Sequence, residues 1–148
     1  MATSGETTVI GVGESWALAR EAVGGRLAVI VGDRPEIFPV NYVVDHGTVV
    51  FRTAAGTKLA AAVGQPVAFE IDGYDATTGD AWSVVIKGTG SEVKDLYDVL
   101  DAIDLPIDTW HASPKSRLVR VEADSVTGRR FRRAEPKIRQ PTPKASPE

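Results

Sequence analysis

The feature that most restricts the fold is a series of short apolar runs divided by glycine-bearing turns, without regular alternation of strand and helix. RLAVIV (26–31) is a continuous apolar run of strand length and reads as a buried strand; Gly32-Asp33-Arg34 then makes a turn. PEIFPVNYVV (35–44) and TVVFRT (48–53) are β-branched and aromatic, and Asp45-His46-Gly47 between them is a hairpin signal. PVAFEIDGY (66–74) alternates Val67, Phe69 and Ile71 against Ala68, Glu70 and Asp72, the period of a half-buried strand. AWSVVIKGTGSEV (81–93) is one long strand. RLVRVEADSVTGRRF (117–131) supplies two more strand-like runs, in which Val119 and Val121 alternate with Arg120 and Glu122. Helical spacing occurs in three places: residues 14–23, stopped by Gly24-Gly25; residues 58–63, stopped by Gly64 and Pro66; and residues 94–103, where Leu96, Val99, Leu100 and Ile103 share a face. Six or seven strands joined mostly in sequence predict a mainly β fold with short helices (α+β). The expected architecture is an antiparallel barrel rather than a parallel sheet, because closure also removes exposed edges.

A length of 148 residues, 43% of them hydrophobic, suits one domain with a real core. Residues 1–8 are polar and expected to be disordered, and 134–148, with four prolines in fifteen residues, read as a basic tail, leaving 9–133 as the folded unit. No run approaches the roughly 20 apolar residues that span a bilayer, and the N-terminus lacks a basic stretch followed by an apolar one. With no cysteine there is no disulfide framework and no thiolate nucleophile. These features predict a cytoplasmic protein with no membrane partner. Seven of the 17 Lys and Arg but only two of the 20 Asp and Glu fall in 126–148, which leaves ten against eighteen in the body. The basic end could neutralise phosphates, yet it holds one aromatic, Phe131, and an acidic body repels a polyanion, so no nucleic-acid partner is expected.

Several chemical motifs fail on spacing. The glycines at 11–13 and 88–90 do not complete a dinucleotide fingerprint, and Gly56-Thr57-Lys58 lacks the earlier glycine of a phosphate-binding loop. His46 reads as a turn residue. His111, beside Trp110, is distant from it, so a metal site is not expected. Ser83 lacks the glycine elbow of a hydrolase nucleophile.

What remains is FRTAAGTKLAAA (51–62). Arg52 and Thr53 end a strand, while Thr57 and Lys58 begin a helix, with Thr57 or Gly56 as its cap. A helix start presents unpaired N–H groups and a dipole that favours an anion, whereas cations placed there without one oppose the dipole. A phosphate satisfies all of these groups; the alternative is a solvated connection. Asn41 is the only asparagine in the chain, and it sits in a hydrophobic strand where its amide needs partners. Trp82 and Ser83 open another long strand.

FPVNYVVDHGTVVFRTAAGTKLAAA, PVAFEID and WSVVIKGTG, in that order and spacing, resemble the pyridoxamine 5′-phosphate oxidase-like flavin-binding family, in its nitroimidazole-resistance-type branch, over about residues 14–133. The resemblance implies a split β-barrel homodimer with FMN in two clefts at the subunit interface. By position it puts Pro39, Val40, Asn41 and Tyr42 along the isoalloxazine and ribityl chain. It sets Arg52 and Thr53 on the phosphate, and Thr57 and Lys58 at the basic helix start, a threonine standing where some members have arginine. Trp82 and Ser83 fall where the family has a polar strand residue, often glutamine, that reaches the flavin. Trp110 comes from a late connection. The family enzyme's C-terminal arginine- and histidine-bearing substrate segment has no counterpart, Arg117 and GRRFRR being the nearest basic residues, so oxidation of pyridoxamine phosphate is not implied.

The expected function is an FMN-dependent oxidoreductase of a small electron-accepting molecule, FMN carrying the redox chemistry itself. The alternatives are a non-catalytic flavin-binding or sequestering protein, a barrel whose pocket is empty or serves another ligand, and a reductase using the deazaflavin coenzyme F-420. For that longer polyanion Lys87 and Arg117 are the extra cations.

Overall fold

The computed structural model describes residues 6–22, 24–103 and 116–132; Trp110 and His111 lie outside them. Ten elements follow in order: β1 (Thr7–Ile10), α1 (Val12–Glu21), β2 (Gly24–Val31), β3 (Arg34–Asp45), β4 (Thr48–Ala54), α2 (Thr57–Ala62), β5 (Pro66–Tyr74), β6 (Asp80–Glu92), α3 (Leu96–Ile103) and β7 (Ser116–Arg132). All pairings between these strands are antiparallel. The sheet order β1-β7-β4-β3-β2-β5-β6 closes on itself because β7 also pairs with β6, giving a six-stranded ring with β1 laid along the end of β7. This is the expected antiparallel barrel.

Closure depends on the length of β7, whose 17 residues pair β4 through Ser116–Glu122 and β6 almost throughout. The two strand-like runs expected over 117–131 are therefore one strand. The polar EADS stretch only bulges it: Lys87 faces Ser125, Gly88 faces Ala123, and Asp124 is left over. The β3–β4 hairpin turns through His46 (φ 47°) and Gly47 (φ 73°), two positive angles that match the twist of the flanking strands. Arg120 of β7 pins its base, Nη1 donating to Asp45 Oδ2 at 2.9 Å and to Thr48 Oγ1 at 2.8 Å.

Inward side chains recur with period two, and Leu27, Phe51, Phe69, Ile71, Ile86 and Val121 are fully buried. RLAVIV is not buried on both sides: Leu27 and Val29 face in, whereas Ile30 is 53% exposed, as a strand in a barrel wall requires. Gly24 and Gly25 belong to β2 rather than stopping a helix, and α1 already ends at Glu21. Glycine is required at 25 because a Cβ there would run into the Phe69 ring. Thr7 and Thr8 are likewise not tail; they pair with Phe131 and Arg130.

Two cations of the basic end are neutralised within the fold, Arg130 by Glu14 at 2.8 Å and Arg132 by Asp80 at 3.3 Å. Leu96 and Leu100 of α3 are exposed in the single chain. Among the described residues, no helix is long and apolar enough to cross a membrane.

Candidate functional site

The β3–β4 ladder ends at the pair Tyr42–Phe51, so Asn41 and Arg52 come next on adjacent strands, on the outer face of the wall. Beyond that point β3 keeps its pairing with β2, Asn41 opposite Gly24 and Pro39 opposite Arg26. Gly24, Gly25, Arg26, Pro39, Val40, Asn41 and Asp72 together line a cleft of about 320 Å³. Two successive glycines leave its floor without side chains.

The strand period sends two expected site residues elsewhere. Tyr42 points into the barrel, where its hydroxyl donates to the Ala19 carbonyl of α1 at 2.5 Å and its ring meets Phe69 edge-on at 4.8 Å. Burial pushes its pKa up to about 12. Thr53 also faces in, 8% exposed, with Oγ1 donating to the Ala54 carbonyl at 3.3 Å. Their side chains brace the wall that carries Asn41 and Arg52.

Arg52 is half-buried, and its Nε–H is buried with no hydrogen-bond partner among the described residues. Lys58, in the first turn of α2, holds its ammonium 5.1 Å above the centroid of the Phe38 ring. Burial lowers its pKa, since removing water penalises the charged form. Neither cation has a carboxylate within ion-pair distance among the described residues, in contrast to its neighbours. Arg117, opposite Thr53 on β7, is bound to Glu92 at 2.6 Å, and Arg120 to Asp45 at 2.9 Å. The fold thus pairs the cations on β7 beside β4 and leaves Arg52 and Lys58 available. An unmatched buried donor costs free energy that an anion would recover.

The helix start contributes less than expected. α2 has six residues, and Gly56 (φ 149°) caps it without a side-chain hydrogen bond, so its dipole is short. Thr57 is exposed at its first position.

Trp82 and Ser83 share no ladder with β3 or β4. Trp82 turns inward and covers Gly73, where a Cβ would collide with the indole. Ser83 faces out between Asp72 of β5 and Arg129 of β7, so Asp72 is its route to the cleft. Lys87 lies on a separate groove with Ile30, Pro35 and Asp124. His46 is a turn residue, as its sequence context indicates, with Nδ1 2.7 Å from Asp45 Oδ1.

Sequence reasoning missed Arg26 and Asp72 as cleft residues. Arg26 Nη1 donates to Glu70 Oε2 at 2.9 Å and to Asp72 Oδ2 at 2.7 Å. The alternation of β5 put both carboxylates on one face, but only the β2–β5 register brings Arg26 opposite Glu70.

Among known structures, the FAD binding protein from Mycobacterium smegmatis is 39% identical with a TM-score of 0.74, the match covering 84% of this chain and 98% of that one. A conserved protein of unknown function from Corynebacterium diphtheriae is 32% identical, TM-score 0.74, over 84% of this chain and 98% of its own. The uncharacterized Mycobacterium tuberculosis protein Rv0080 is 32% identical over 124 residues, which are 80% of this chain and 81% of that protein. A family model described as pyridoxamine 5′-phosphate oxidase matches residues 12–130, nearly the whole ring, and the chain belongs to that family.

Proposed function

We propose that the cleft and the adjoining cations hold FMN, and that the loaded protein is an oxidoreductase of a small electron-accepting molecule. The observation that carries this reading is the contrast among the cations: Arg117 and Arg120 are paired, whereas Arg52 and Lys58 face no carboxylate among the described residues. A phosphate monoester is the ligand end that suits a guanidinium and an ammonium left without carboxylates at the two ends of one strand-to-helix turn. Arg52 and Lys58 bind that end, Asn41 and the Gly24-Gly25 floor accept a flat ring, and Phe38 keeps Lys58 in place. Bound flavin would supply the hydride or electron transfer, which fits a cleft with no histidine on its walls among the described residues.

FAD is the second reading for the cofactor, favoured by the 39% identical Mycobacterium smegmatis protein, an FAD binding protein. The protein works as a homodimer in this reading, for which the exposed Ile30 (53%) and Ile37 (66%) on the outer face of β2 and β3 are the support. It is placed in the cytoplasm, with which a chain lacking cysteine is compatible.

The absorption spectrum of the purified protein, with mass spectrometry of what denaturation releases, tests the cofactor. FMN is expected; FAD or a deazaflavin would replace it, and a colourless protein that takes up no flavin on titration would remove the proposal. A bound flavin that neither NAD(P)H reduces nor any acceptor reoxidises would leave a flavin-sequestering protein.

A further inference from the structure

The ring is held shut by ladders of very different length, and the one between β2 and β5 is the shortest. It consists of three residue pairs, Arg26 with Glu70, Leu27 with Phe69 and Ala28 with Ala68. The β3–β4 ladder is nearly as short, but a hairpin turn joins those two strands directly. β2 and β5 have β3, β4 and α2 between them in the chain, so only the ladder and the side chains keep them together. The register runs out at both ends. Continued one way it would set Ile30 against Pro66, which has no N–H to donate; continued the other way it meets Gly25 and Gly24, which are poor strand formers. Each end opens into a cavity. The cleft lined by Gly24, Gly25 and Asp72 lies at one end, and at the other a groove of about 340 Å³ is lined by Val29, Ile30, Pro66 and Val67.

Among the described residues, one side chain makes hydrogen bonds across this seam. Arg26 Nη1 on β2 donates to Glu70 Oε2 at 2.9 Å and to Asp72 Oδ2 at 2.7 Å, both on β5. Leu27 and Phe69, fully buried, fasten the inner side. The outer fastening is the weaker of the two, because the Arg26 and Asp72 side chains are 53% and 50% exposed and water competes for their bonds. Local opening costs least where the fewest ladder bonds must be given up. We infer that the β2–β5 seam is a gate clamped by Arg26, which opens locally between the cleft and the groove while the other ladders of the ring stay shut. Such a gate needs no particular ligand in the cleft, and it is read on the backbone.

The experiment is residue-resolved hydrogen–deuterium exchange of the protein as purified. It compares the amides of 26–28 and 68–70 with those of 84–86 and 126–128 in the long β6–β7 ladder. Within β2 and β5 only the amides turned toward the seam report its opening, since those turned toward β3 and β6 keep their partners. In the wild type the seam amides should exchange on the order of tenfold faster, or more, than the β6–β7 amides. Arg26→Met keeps an apolar stem and removes the clamp. It should speed the seam amides by about two- to fivefold and leave the β6–β7 amides unchanged.

The chain has no cysteine, so a single bridge can be placed across the seam. Ala28→Cys combined with Ala68→Cys, at positions that face each other in the ladder, should on oxidation slow the seam amides to the β6–β7 level and on reduction release them. Wild-type seam amides as slow as those of β6–β7 overturn the inference. So does an Arg26→Met protein whose seam is unchanged, or whose strands all exchange faster alike, because Arg26 would then be a general stabiliser and not a clamp. An oxidised cysteine pair that leaves the seam amides as fast as its reduced form overturns it as well.

Discussion

The ammonium of Lys58 stands 5.1 Å over the ring of Phe38, so the first turn of α2 is fastened to the strand whose next three residues line the cleft. The contact is a cation–π pair that keeps the charge in place without cancelling it. The lysine has a cost in the free protein, because burial disfavours its charged form.

Lys58→Met should therefore leave the free protein as stable as the wild type or slightly more so, while weakening FMN binding. One charge-assisted contact is about 1.5–3 kcal/mol. Lys94→Ala, an exposed lysine 3.5 Å from Glu92, is the control and should leave affinity unchanged. Equal affinities for the two variants would remove Lys58 from the phosphate seat. The pH dependence has a definite sign: binding an anion favours the protonated amine, so wild-type affinity falls as pH rises through the lowered pKa of Lys58. The Met variant lacks that component.

Arg52 and Arg120 provide an internal comparison on neighbouring strands. Arg120→Leu strands the half-buried Asp45 carboxylate, whose pKa Arg120 holds down, and should cost about 1–3 kcal/mol of stability. Arg52→Leu removes a buried N–H that has no partner among the described residues, and should cost little stability but much affinity for FMN. Thermal melts and flavin titrations of both proteins separate the two effects. A destabilised Arg52→Leu protein with intact flavin binding would make Arg52 a structural residue.

Tyr42→Phe deletes the bond to the Ala19 carbonyl and should destabilise the fold by about 1–2 kcal/mol, since that buried acceptor is left unmatched. The wild type should also lose stability between pH 10 and pH 12. There the folded Tyr42, its pKa near 12, keeps a proton that the unfolded chain, with an ordinary value of 10.0, has released. Denaturant melts across that range should show a smaller decline for the Phe variant.

Gly88→Ala places a methyl group against the Glu122 carbonyl beside the β7 bulge. Backbone cannot move aside as a flexible side chain can, so a loss of about 1–3 kcal/mol or more is expected. Gly79→Ala tests a different cause: nothing crowds that glycine, but its φ of 75° strains any other residue. Both are read by melting temperature.

The hairpin and the alternation of β5 were legible because one residue type sufficed at each decisive position: Gly47 for a positive φ, Val67, Phe69 and Ile71 for one face. Arg52 and Lys58, the cations left without a carboxylate partner among the described residues beside the turn between β4 and α2, drew notice for the same local reason. What escaped was what register decides. Arg26 reads as a surface residue at a strand start until β5 is placed beside β2 with Glu70 opposite it. Tyr42, expected along the cleft, faces inward because it is one residue from Asn41, and adjacent strand residues point opposite ways. The continuity of β7 was hidden by the polar EADS stretch, which the bulge accommodates.

The double pairing of β7 also governs the order in which this protein can be made. The strand that closes the ring comes last in the chain of elements, and until it arrives both β4 and β6 expose an unpaired edge. During synthesis the earlier strands must wait with those edges open. Conditions that slow synthesis past Ser116 should therefore raise misassembly without altering the stability of the finished barrel.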